Sequence, residues 1–282
     1  DQRLSRGLGD VYKRQGYRVT VFEKQRYPSI VTSYANGGQL SASNAEVWNH
    51  FGTILKAVTW LLKKDAPLKI NFWPNWHKVS WLAEFLLQTK NYKKNTIQTV
   101  KMAIESRKYM QKIVDDAGIE FDKSNCGILH IYKSHREFEH AHRVNELLAL
   151  GGLERRRLTE NEILTIEPNL EKKFVGGYYT KTDSTGDIHK FTSHLARVAM
   201  DRGVNFQQSA DVKSIKVLGL EVKIKFNLKD FQDQIETFDM CVICAGVASH
   251  KFAKMLGDRV NIYPVKGYSI TVPLTDLISQ KK

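Results

Sequence analysis

Glu23 and the glycines before it are the first residues whose types and order match a known use, the binding of a nucleotide. Nucleotide-binding folds place a G-x-G-x-x-G turn before a helix, whose N-terminus holds a pyrophosphate, and an acid after the next strand, which binds ribose. Residues 18–22 alternate and are rich in β-branched side chains, which predicts a strand that ends at Glu23. The second half of such a motif is therefore present.

The glycines Gly7 and Gly9 do not supply the first half of that motif. The segment DQRLSR before them is too polar for a buried parallel strand, and Tyr12 stands where the third glycine belongs. The spacing from Gly9 to Glu23 is also shorter than the roughly 20 residues that a helix and a strand require. We therefore interpret residues 1–15 as non-native or disordered and not as a phosphate-binding loop.

Cys241 and Cys244 form a C-x-x-C pair, a pattern used for zinc binding and for dithiol chemistry. The surrounding MCVICAG predicts a buried strand over residues 241–245, and side chains three apart on a strand point to opposite faces. A structural zinc site also needs a second pair of ligands, whereas the chain has one further cysteine, Cys126. We predict no metal site and no dithiol function, and the sparse, odd cysteine count favours a reducing compartment.

A second group of potential metal ligands lies in the segment 135–142, which has helical periodicity. It comprises His135, Glu137, Glu139, His140 and His142. His140 and His142 are two residues apart and cannot share a helix face. We therefore predict a solvated charged face and no metal site.

The net charge of +13 raises the question of an anionic partner. The basic residues are scattered and no nucleic-acid-binding motif occurs, so we predict no nucleic-acid partner. A membrane surface fits better, because tryptophan rings can lie at headgroup level beside lysines that contact lipid phosphates. The alternative is aromatic packing over a substrate site or a domain interface. The residues concerned are Trp48, Trp60, Trp73, Trp76 and Trp81 with Lys56, Lys63, Lys64, Lys69 and Lys78.

The elements that would position these residues alternate between helices and strands. Helical periodicity that ends at glycine predicts helices over 96–117, 135–150 and 189–202, and Thr159 and Glu162 fit a capping box for a short helix. Strands are predicted at 127–132 and 176–180, and a β-meander at 212–217, 222–227 and 235–238. Buried strands near both ends enclose a mixed segment, which indicates an α/β nucleotide-binding domain interrupted by a second domain.

Six segments in this order resemble the flavin-dependent amino-acid oxidoreductases of the glycine oxidase and D-amino acid oxidase type. Within that family the resemblance is greatest to the dehydrogenases that act on D-amino acids. The segments are VTVFEK, SYANGGQLS, LKAVTWLLKKDAPL, TGDIHKFT, VICAG and YPVKGYS. Each is weak alone, but their order is specific and covers residues 16–273.

The resemblance implies a Rossmann-like FAD-binding domain interrupted by an α+β substrate domain, truncated at both ends. The glycine-rich loop before Glu23 is missing, and the family continues beyond Pro273. The implied parts are the FAD-binding domain at 16–47 and 176–260, the substrate or membrane-facing domain at 48–175, and the start of a return to it at 261–282.

The resemblance also carries over site residues one at a time. It implies cofactor contacts by Glu23, Lys24, Ser33, Ala35, Asn36, Gly37, Gly38, Val212, Ala245 and Gly246, and substrate contacts by Lys266, Gly267 and Tyr268. We name residues 33–38 the flavin loop. Gly186 and Asp187 match a family loop, and we expect them to start a helix and not to take part in catalysis. No catalytic residue is assigned, since hydride transfer to a flavin needs no strong general base.

The implied activity is oxidation of a D-amino acid to a 2-oxo acid and ammonia, with hydride passing from Cα to flavin N5. Electrons would pass to a quinone or another respiratory carrier, which implies peripheral attachment to the cytoplasmic face of the inner membrane. Two alternatives stay open: a glycine- or sarcosine-type amine oxidase on the same scaffold, and a membrane-surface protein that has lost FAD. We expect residues 1–282 alone to bind FAD poorly, because half of the cofactor cradle is missing; the oligomeric state is not predicted.

Overall fold

A computed structural model describes residues 11–13, 15–50, 52, 73, 75–171, 173–268 and 270. The elements in chain order are β1 (Thr20–Glu23), β2 (Gln39–Leu40), α1 (Trp76–Leu87), α2 (Tyr92–Ala117), β3 (Ile128–Tyr132), α3 (His135–Leu150), β4 (Arg156–Leu158), α4 (Glu160–Ile166), β5 (Gly176–Thr180), β6 (Ser184–Thr185), α5 (Ile188–Asp201), β7 (Asn205–Gln208), β8 (Asp211–Leu218), β9 (Glu221–Asn227), β10 (Gln234–Phe238) and α6 (Ser249–Met255). Single 3₁₀ turns occur at Gln88–Asn91 and Gly246–Ala248. Gly7 and Gly9 lie outside the described residues.

The predicted helices are confirmed, and their ends follow local sequence signals. α2 ends where Gly118 adopts the left-handed conformation, with φ of 60°, and its N–H bonds to Val114 O. α4 begins with the predicted capping box, in which Thr159 and Glu162 satisfy each other's backbone N–H groups. These signals act over a few residues, which is why the sequence alone reveals them.

The described residues form two compact units, and the chain passes between them at 37/38 and 195/196. Unit 1 comprises 1–37 and 196–282, and unit 2 comprises 38–195. Residues 38–47 belong to unit 2 because β2 pairs with β6 and because Ala42 and Ala45 pack into a core with α2 and α3. The assignment of cofactor and substrate domains to residue ranges stays a prediction.

Unit 1 contains a parallel pair of strands and an antiparallel meander. β1 pairs in parallel with β7, so that Glu23 lies opposite Gln208. β8, β9 and β10 form the predicted meander. The ring of Phe22 on β1 lies 4.7 Å from that of Phe226 and 5.8 Å from that of Phe238, which packs β1 against the meander core. The carboxyl end of β1 is thereby fixed in place.

The predicted buried strand over residues 241–245 is wrong. Within the described part of the chain this segment joins no strand ladder. Cys241 and Ile243 pack against the meander core, whereas Met240 and Val242 are 55% and 46% exposed. Only one face of the segment is covered, and a buried parallel strand requires that both faces be covered.

The two cysteines of this segment are free thiols. Burial raises the pKa of both Cys241 and Cys244, and the nearby Cys244 raises the pKa of Cys241 further. Both thiols are therefore protonated near neutral pH. Neither shows the lowered pKa that a reactive thiol requires.

Unit 2 is built on a three-stranded antiparallel sheet, in the order β3-β5-β4, and on the short β2-β6 pair. Helices α2 and α3 pack together through Val100, Val144 and Leu148, which are all buried. A hydrogen bond of 2.9 Å runs from Gly186 N to Gly38 O. It joins the residue just after β6 to the residue just before β2. This bond extends the β2-β6 pairing to the end of the flavin loop.

The described tryptophans of the Trp–Lys segment are exposed with one exception. Trp48, Trp73 and Trp76 are 71%, 80% and 82% exposed, and Trp81 is half-buried and stacks on Phe85. Lys78 contradicts its predicted role at a lipid surface, because it is buried and donates a hydrogen bond to Trp73 O. Trp60, Lys56, Lys63, Lys64 and Lys69 lie outside the described residues.

Candidate functional site

Glu23 occupies the position that a ribose-binding acid requires. It is the last residue of β1, at the carboxyl end of a parallel strand pair, where open α/β sheets bind their ligands. Its Oε1 accepts a hydrogen bond of 2.9 Å from Gln25 N, and its backbone oxygen accepts one of 2.9 Å from Ala210 N. The carboxylate is buried and held by the turn that follows the strand.

Lys24 and Val212 lie next to this position. Lys24 Nζ is 3.4 Å from Asp211 Oδ1, and Lys213 binds the same carboxylate through Oδ2. The hydrogen bond from Lys213, followed by the one from Lys24, lowers the pKa of Asp211. Val212 packs against the meander core on β8. The structure thus brings together Glu23, Lys24 and Val212 at adjoining ends of β1 and β8.

The flavin loop presents an exposed backbone beside one buried serine. Asn36 Nδ2 donates to Ser33 O at 3.1 Å and to Thr32 O at 3.3 Å, which closes the turn. Ala35, Asn36 and Gly37 are exposed. Ser33 Oγ is buried and has no hydrogen-bond partner among the described residues. A Cβ on Gly37 would meet no atom within 4 Å, so its backbone is open to a ligand.

Gly38 must be glycine for reasons of backbone geometry. Its φ is +60°, and a Cβ there would lie 2.6 Å from Gly186 O. Both the positive φ and the close approach exclude larger side chains. The end of the flavin loop is therefore held tightly against the turn after β6.

Ala245 and Gly246 lie at the start of a 3₁₀ turn. Gly246 has φ of +56°, and Ala248 N donates to Ala245 O at 3.0 Å. Lys266, Gly267 and Tyr268 are exposed in coil that follows α6, and Lys266 Nζ lies 5.1 Å from the centre of the Tyr268 ring. The structure gives these residues no regular element to position them.

Asp187 starts α5, as predicted. Its Oδ1 accepts from Lys190 N at 2.9 Å, and its backbone oxygen accepts from Phe191 N at 3.0 Å. This is the arrangement of an N-cap.

Asp183 is a buried acid that sequence reasoning missed. Its carboxylate accepts hydrogen bonds from Ser41 Oγ, Ala42 N and Ser43 N, at 3.0 to 3.1 Å, and from Arg107 Nη1 at 3.0 Å. The only sequence signal was its place before turn residues in TDSTGD, which also fits a solvated turn. The donors come from positions far away along the chain, so the role of Asp183 is visible only in the fold.

His130 lies beside this network. Its Nε2 is 2.9 Å from Ser43 Oγ. Burial and, to a smaller extent, the positive charge of Arg155 together lower the pKa of His130 to about 4, and the negative charge of Asp183 acts in the opposite direction. The imidazole is therefore neutral at neutral pH, and its contact with Ser43 is one between uncharged groups.

The charged face predicted for the segment 135–142 is confirmed in part. His135, Glu137 and Glu139 are exposed, but His140 and His142 make specific contacts. His140 Nε2 lies 3.2 Å from Glu46 Oε1, and His142 Nδ1 lies 3.1 Å from Tyr178 Oη. Two residues apart, they turn to different partners, as the helical geometry requires. Among the described residues no group of three potential metal ligands converges.

Glu46 also accepts a hydrogen bond of 2.5 Å from Tyr92 Oη. Burial, together with this bond, raises the pKa of Tyr92 well above its ordinary value. The rings of Tyr92 and His140 lie 4.9 and 5.2 Å from that of His50. This cluster joins the segment after β2 to α2 and α3 within unit 2.

A cleft of about 790 Å³ in unit 2 lies apart from the predicted site residues. Its lining includes Arg155, Arg156, Tyr179 and Lys181. None of the residues that the resemblance assigns to cofactor or substrate lines it. This cleft therefore does not correspond to the predicted site.

Comparison with known proteins places this geometry in context. The family model described as FAD dependent oxidoreductase (DAO) matches residues 10–282. D-amino acid dehydrogenase 3 of Mesorhizobium japonicum is 51% identical over 263 residues, which cover 92% of this chain and 63% of that protein. D-amino acid dehydrogenase of Paramagnetospirillum magneticum is 36% identical, over 93% of this chain and 62% of that protein. The chain thus spans somewhat less than two thirds of the length of these relatives.

Solved structures agree with the fold. Glycine oxidase from Geobacillus kaustophilus has a TM-score of 0.60 at 17% identity, over 89% of this chain and 55% of that one. L-alpha-glycerophosphate oxidase from Mycoplasma pneumoniae, solved with FAD bound, has a TM-score of 0.55 at 16% identity, over 88% and 53%. These likenesses confirm the predicted α/β fold class. The match of the family model over residues 10–282 establishes that the chain belongs to the DAO family of FAD-dependent oxidoreductases.

Proposed function

We propose that the protein uses FAD to oxidise a D-amino acid to the 2-oxo acid and ammonia. The observation that carries this proposal is the identity of 51% to a D-amino acid dehydrogenase over 92% of the chain. Identity at that level over most of a chain supports a shared substrate class. The fold alone would not, because one fold hosts many functions.

The residues near the carboxyl end of β1 fit the adenosine part of FAD. The Glu23 carboxylate accepts from Gln25 N through Oε1, and a ribose hydroxyl is a donor that a carboxylate can also accept. Lys24 and Val212 would flank the same part of the cofactor. We assign to Ala245 and Gly246 the role of a turn that faces the ADP moiety, with the positive φ of Gly246 permitting close backbone approach.

The flavin loop fits the isoalloxazine part of the cofactor by its exposed backbone. Gly37 has open space where a Cβ would stand, and the turn is closed by hydrogen bonds from Asn36 Nδ2 to the backbone oxygens of Thr32 and Ser33. Backbone N–H groups in such a loop can donate to flavin nitrogens and oxygens without a side chain in the way.

Bound FAD would supply the acceptor for the hydride that leaves the substrate Cα. The task of this chain would be to bind and orient, because alignment of the reacting atoms supplies much of the rate enhancement. Lys266 and Tyr268, which contact each other, are our candidates for groups near the substrate. No residue of the chain is assigned as a general base.

We also propose that helix α1 contacts an anionic membrane surface, where a quinone would take up the electrons. The supporting observation is an exposed apolar stripe on one face of α1, formed by Trp76, Val79, Leu86 and Leu87. Trp76, Val79 and Leu86 are spaced by three and seven residues and lie on one side of the helix, and Leu87 borders them. None of the described helices has the length and apolar character needed to span a bilayer. We propose peripheral contact at the cytoplasmic face of the inner membrane.

The membrane proposal is tested by sedimentation of the full-length protein with vesicles of phosphatidylglycerol and phosphatidylcholine. Trp76→Ser should reduce the bound fraction several-fold, because partition of a tryptophan ring contributes strongly to interfacial binding. The matched control is Tyr109→Ser, which removes an exposed aromatic ring from α2. Equal losses for the two variants, or none for Trp76→Ser, would refute the proposed surface.

The catalytic proposal is tested by incubating the full-length protein with D-alanine and a soluble quinone and measuring pyruvate and ammonia. Glycine, sarcosine and L-alanine are assayed in parallel, with oxygen as an alternative acceptor. Turnover of D-alanine with quinone supports the proposal. Preference for glycine or sarcosine with oxygen would establish the amine oxidase alternative, and liposome binding by a flavin-free protein would establish the alternative without catalysis.

The ribose contact is tested separately. Glu23→Gln should weaken FAD binding about tenfold, since a charge-assisted hydrogen bond is replaced by a neutral one. Glu221→Gln, at an exposed glutamate that starts β9, is the control and should leave the affinity unchanged. An unchanged affinity for Glu23→Gln would show that this acid does not bind the cofactor.

A further inference from the structure

The carboxylate of Asp183 is saturated by donors from two other parts of unit 2. Oδ1 accepts from Ala42 N at 3.1 Å and from Arg107 Nη1 at 3.0 Å, and Oδ2 accepts from Ser41 Oγ at 3.0 Å and Ser43 N at 3.1 Å. Its side chain is fully buried. A carboxylate has about four acceptor positions, so this one has no capacity left for another ligand.

Three of those four donors belong to the segment that directly continues the flavin loop. Residues 41–43 follow β2, and Gly38, the last residue of the loop, precedes it. Gly38 O accepts from Gly186 N at 2.9 Å, and β2 pairs with β6 through Gln39 and Thr185. The turn 183–186 therefore binds residues 38–43 at both ends.

The acid at position 183 is chemically specific. Two consecutive backbone N–H groups and a hydroxyl all point at it, and an amide would turn a donor towards some of these donors. Arg107 balances the charge and is also fixed by a bond of 2.7 Å to Thr182 O. Burying an acid is costly unless it is paired and hydrogen-bonded, and here it is both.

We propose that Asp183 is a positioning residue for FAD: through residues 38–43 it fixes the end of the flavin loop in the conformation that binds the isoalloxazine ring. The inference rests on the proposed function, in which the loop contacts FAD. Asp183 itself has no free acceptor position for the cofactor. Its effect on FAD is transmitted by the backbone of Gly38.

The test compares three variants of the full-length protein with the wild type. Asp183→Asn removes the negative charge and replaces one of the two acceptor oxygens with an NH₂ donor, at nearly constant side-chain volume. Ser41→Ala removes one of the four bonds and leaves the charge. Asp122→Asn is the matched control, because Asp122 is exposed, pairs with Lys190 and has a φ of 53° that asparagine tolerates.

Three quantities are measured: the Kd for FAD on reconstitution of the apoprotein, the visible circular dichroism of the bound flavin, and the thermal midpoint of the apoprotein. Asp183→Asn should raise the Kd about tenfold and change the flavin dichroism, and Ser41→Ala should act in the same direction by about threefold. Asp122→Asn should change neither. A purely structural role would lower the thermal midpoint and leave the dichroism of bound flavin as in the wild type.

Each outcome bears on the inference. If Asp183→Asn folds and keeps the wild-type Kd and dichroism, the inference is refuted. If Asp183→Asn does not fold, Ser41→Ala decides in the same way, since it retains the buried ion pair. Absence of flavin from the wild type would refute the proposed function and, with it, this inference. Flavin in the wild type with unaffected variants would refute this inference alone.

Discussion

Replacement of Gly38 by alanine would introduce one methyl group where the flavin loop meets the turn after β6. The φ of +60° at this position costs a residue with a Cβ about 1 kcal/mol or more. The new Cβ would also lie 2.6 Å from Gly186 O, well inside van der Waals contact. The two backbones are hydrogen-bonded at 2.9 Å, so they cannot separate without weakening that bond.

The expected loss for Gly38→Ala is roughly 3 kcal/mol in the free energy of unfolding. About 1 kcal/mol comes from the φ and the rest from the displaced backbone and its weakened hydrogen bond. For a domain of 150–250 residues this corresponds to a decrease in Tm of about 6–12 °C. The matched control is Gly219→Ala, at a φ of +64° with no atom within 4 Å of the new Cβ. It should lose only about 1 kcal/mol.

Urea unfolding of the apoprotein, followed by far-ultraviolet circular dichroism, measures both losses. The difference between the variants isolates the contact with Gly186 from the cost of φ. Equal losses would show that the two backbones are not in close contact, and the reasoning about the end of the flavin loop would fail. FAD affinity, measured on the same samples, should also fall more for Gly38→Ala.

Three further predictions concern single residues. Gly37→Ala should leave the stability of the apoprotein unchanged, since the new Cβ meets no atom within 4 Å. It should weaken FAD binding about fivefold in a fluorescence titration. An affinity equal to that of the wild type would show that Gly37 is not part of the proposed site. The pKa of His130 is lowered from 6.5 to about 4, so the unfolded state takes up a proton at a higher pH than the folded state does. The free energy of unfolding should therefore fall by up to about 2 kcal/mol as the pH drops from 6.5 to 4. His130→Gln should abolish that fall in urea titrations, and His135→Gln, at an exposed position, should retain it. The Thr159 hydrogen bonds lower the pKa of Glu162, so its stabilising effect is present above its ordinary value of 4.5 and is lost as pH falls below it. Glu162→Ala should remove this part of the acid dependence, and an unchanged pH profile would contradict it.

The helices and the meander could be predicted because their signals are local. Glycine at the end of α2, the capping box of α4 and the alternation in β9 each involve neighbouring residues. The predicted position of Glu23 at the end of β1 is likewise confirmed, since the run of strand-forming residues ends at this acid.

Elements that depend on distant partners could not be predicted in the same way. β7 has the sequence NFQQ, which lacks an apolar strand pattern and forms a strand because β1 pairs with it. Residues 241–245 look like a buried strand, yet only one face is covered. Asp183 is an ordinary turn residue by type, and it becomes a buried anchor because Ser41 and Arg107 are brought to it by the fold.

The most direct test of the account is the flavin content of the full-length protein, purified and then denatured to release the cofactor. The account predicts one FAD per chain in the wild type and in Glu221→Gln, and a lower FAD content in Glu23→Gln and Gly37→Ala, in keeping with their roughly ten- and fivefold weaker binding. A full-length protein without FAD that also fails to bind added FAD would contradict it.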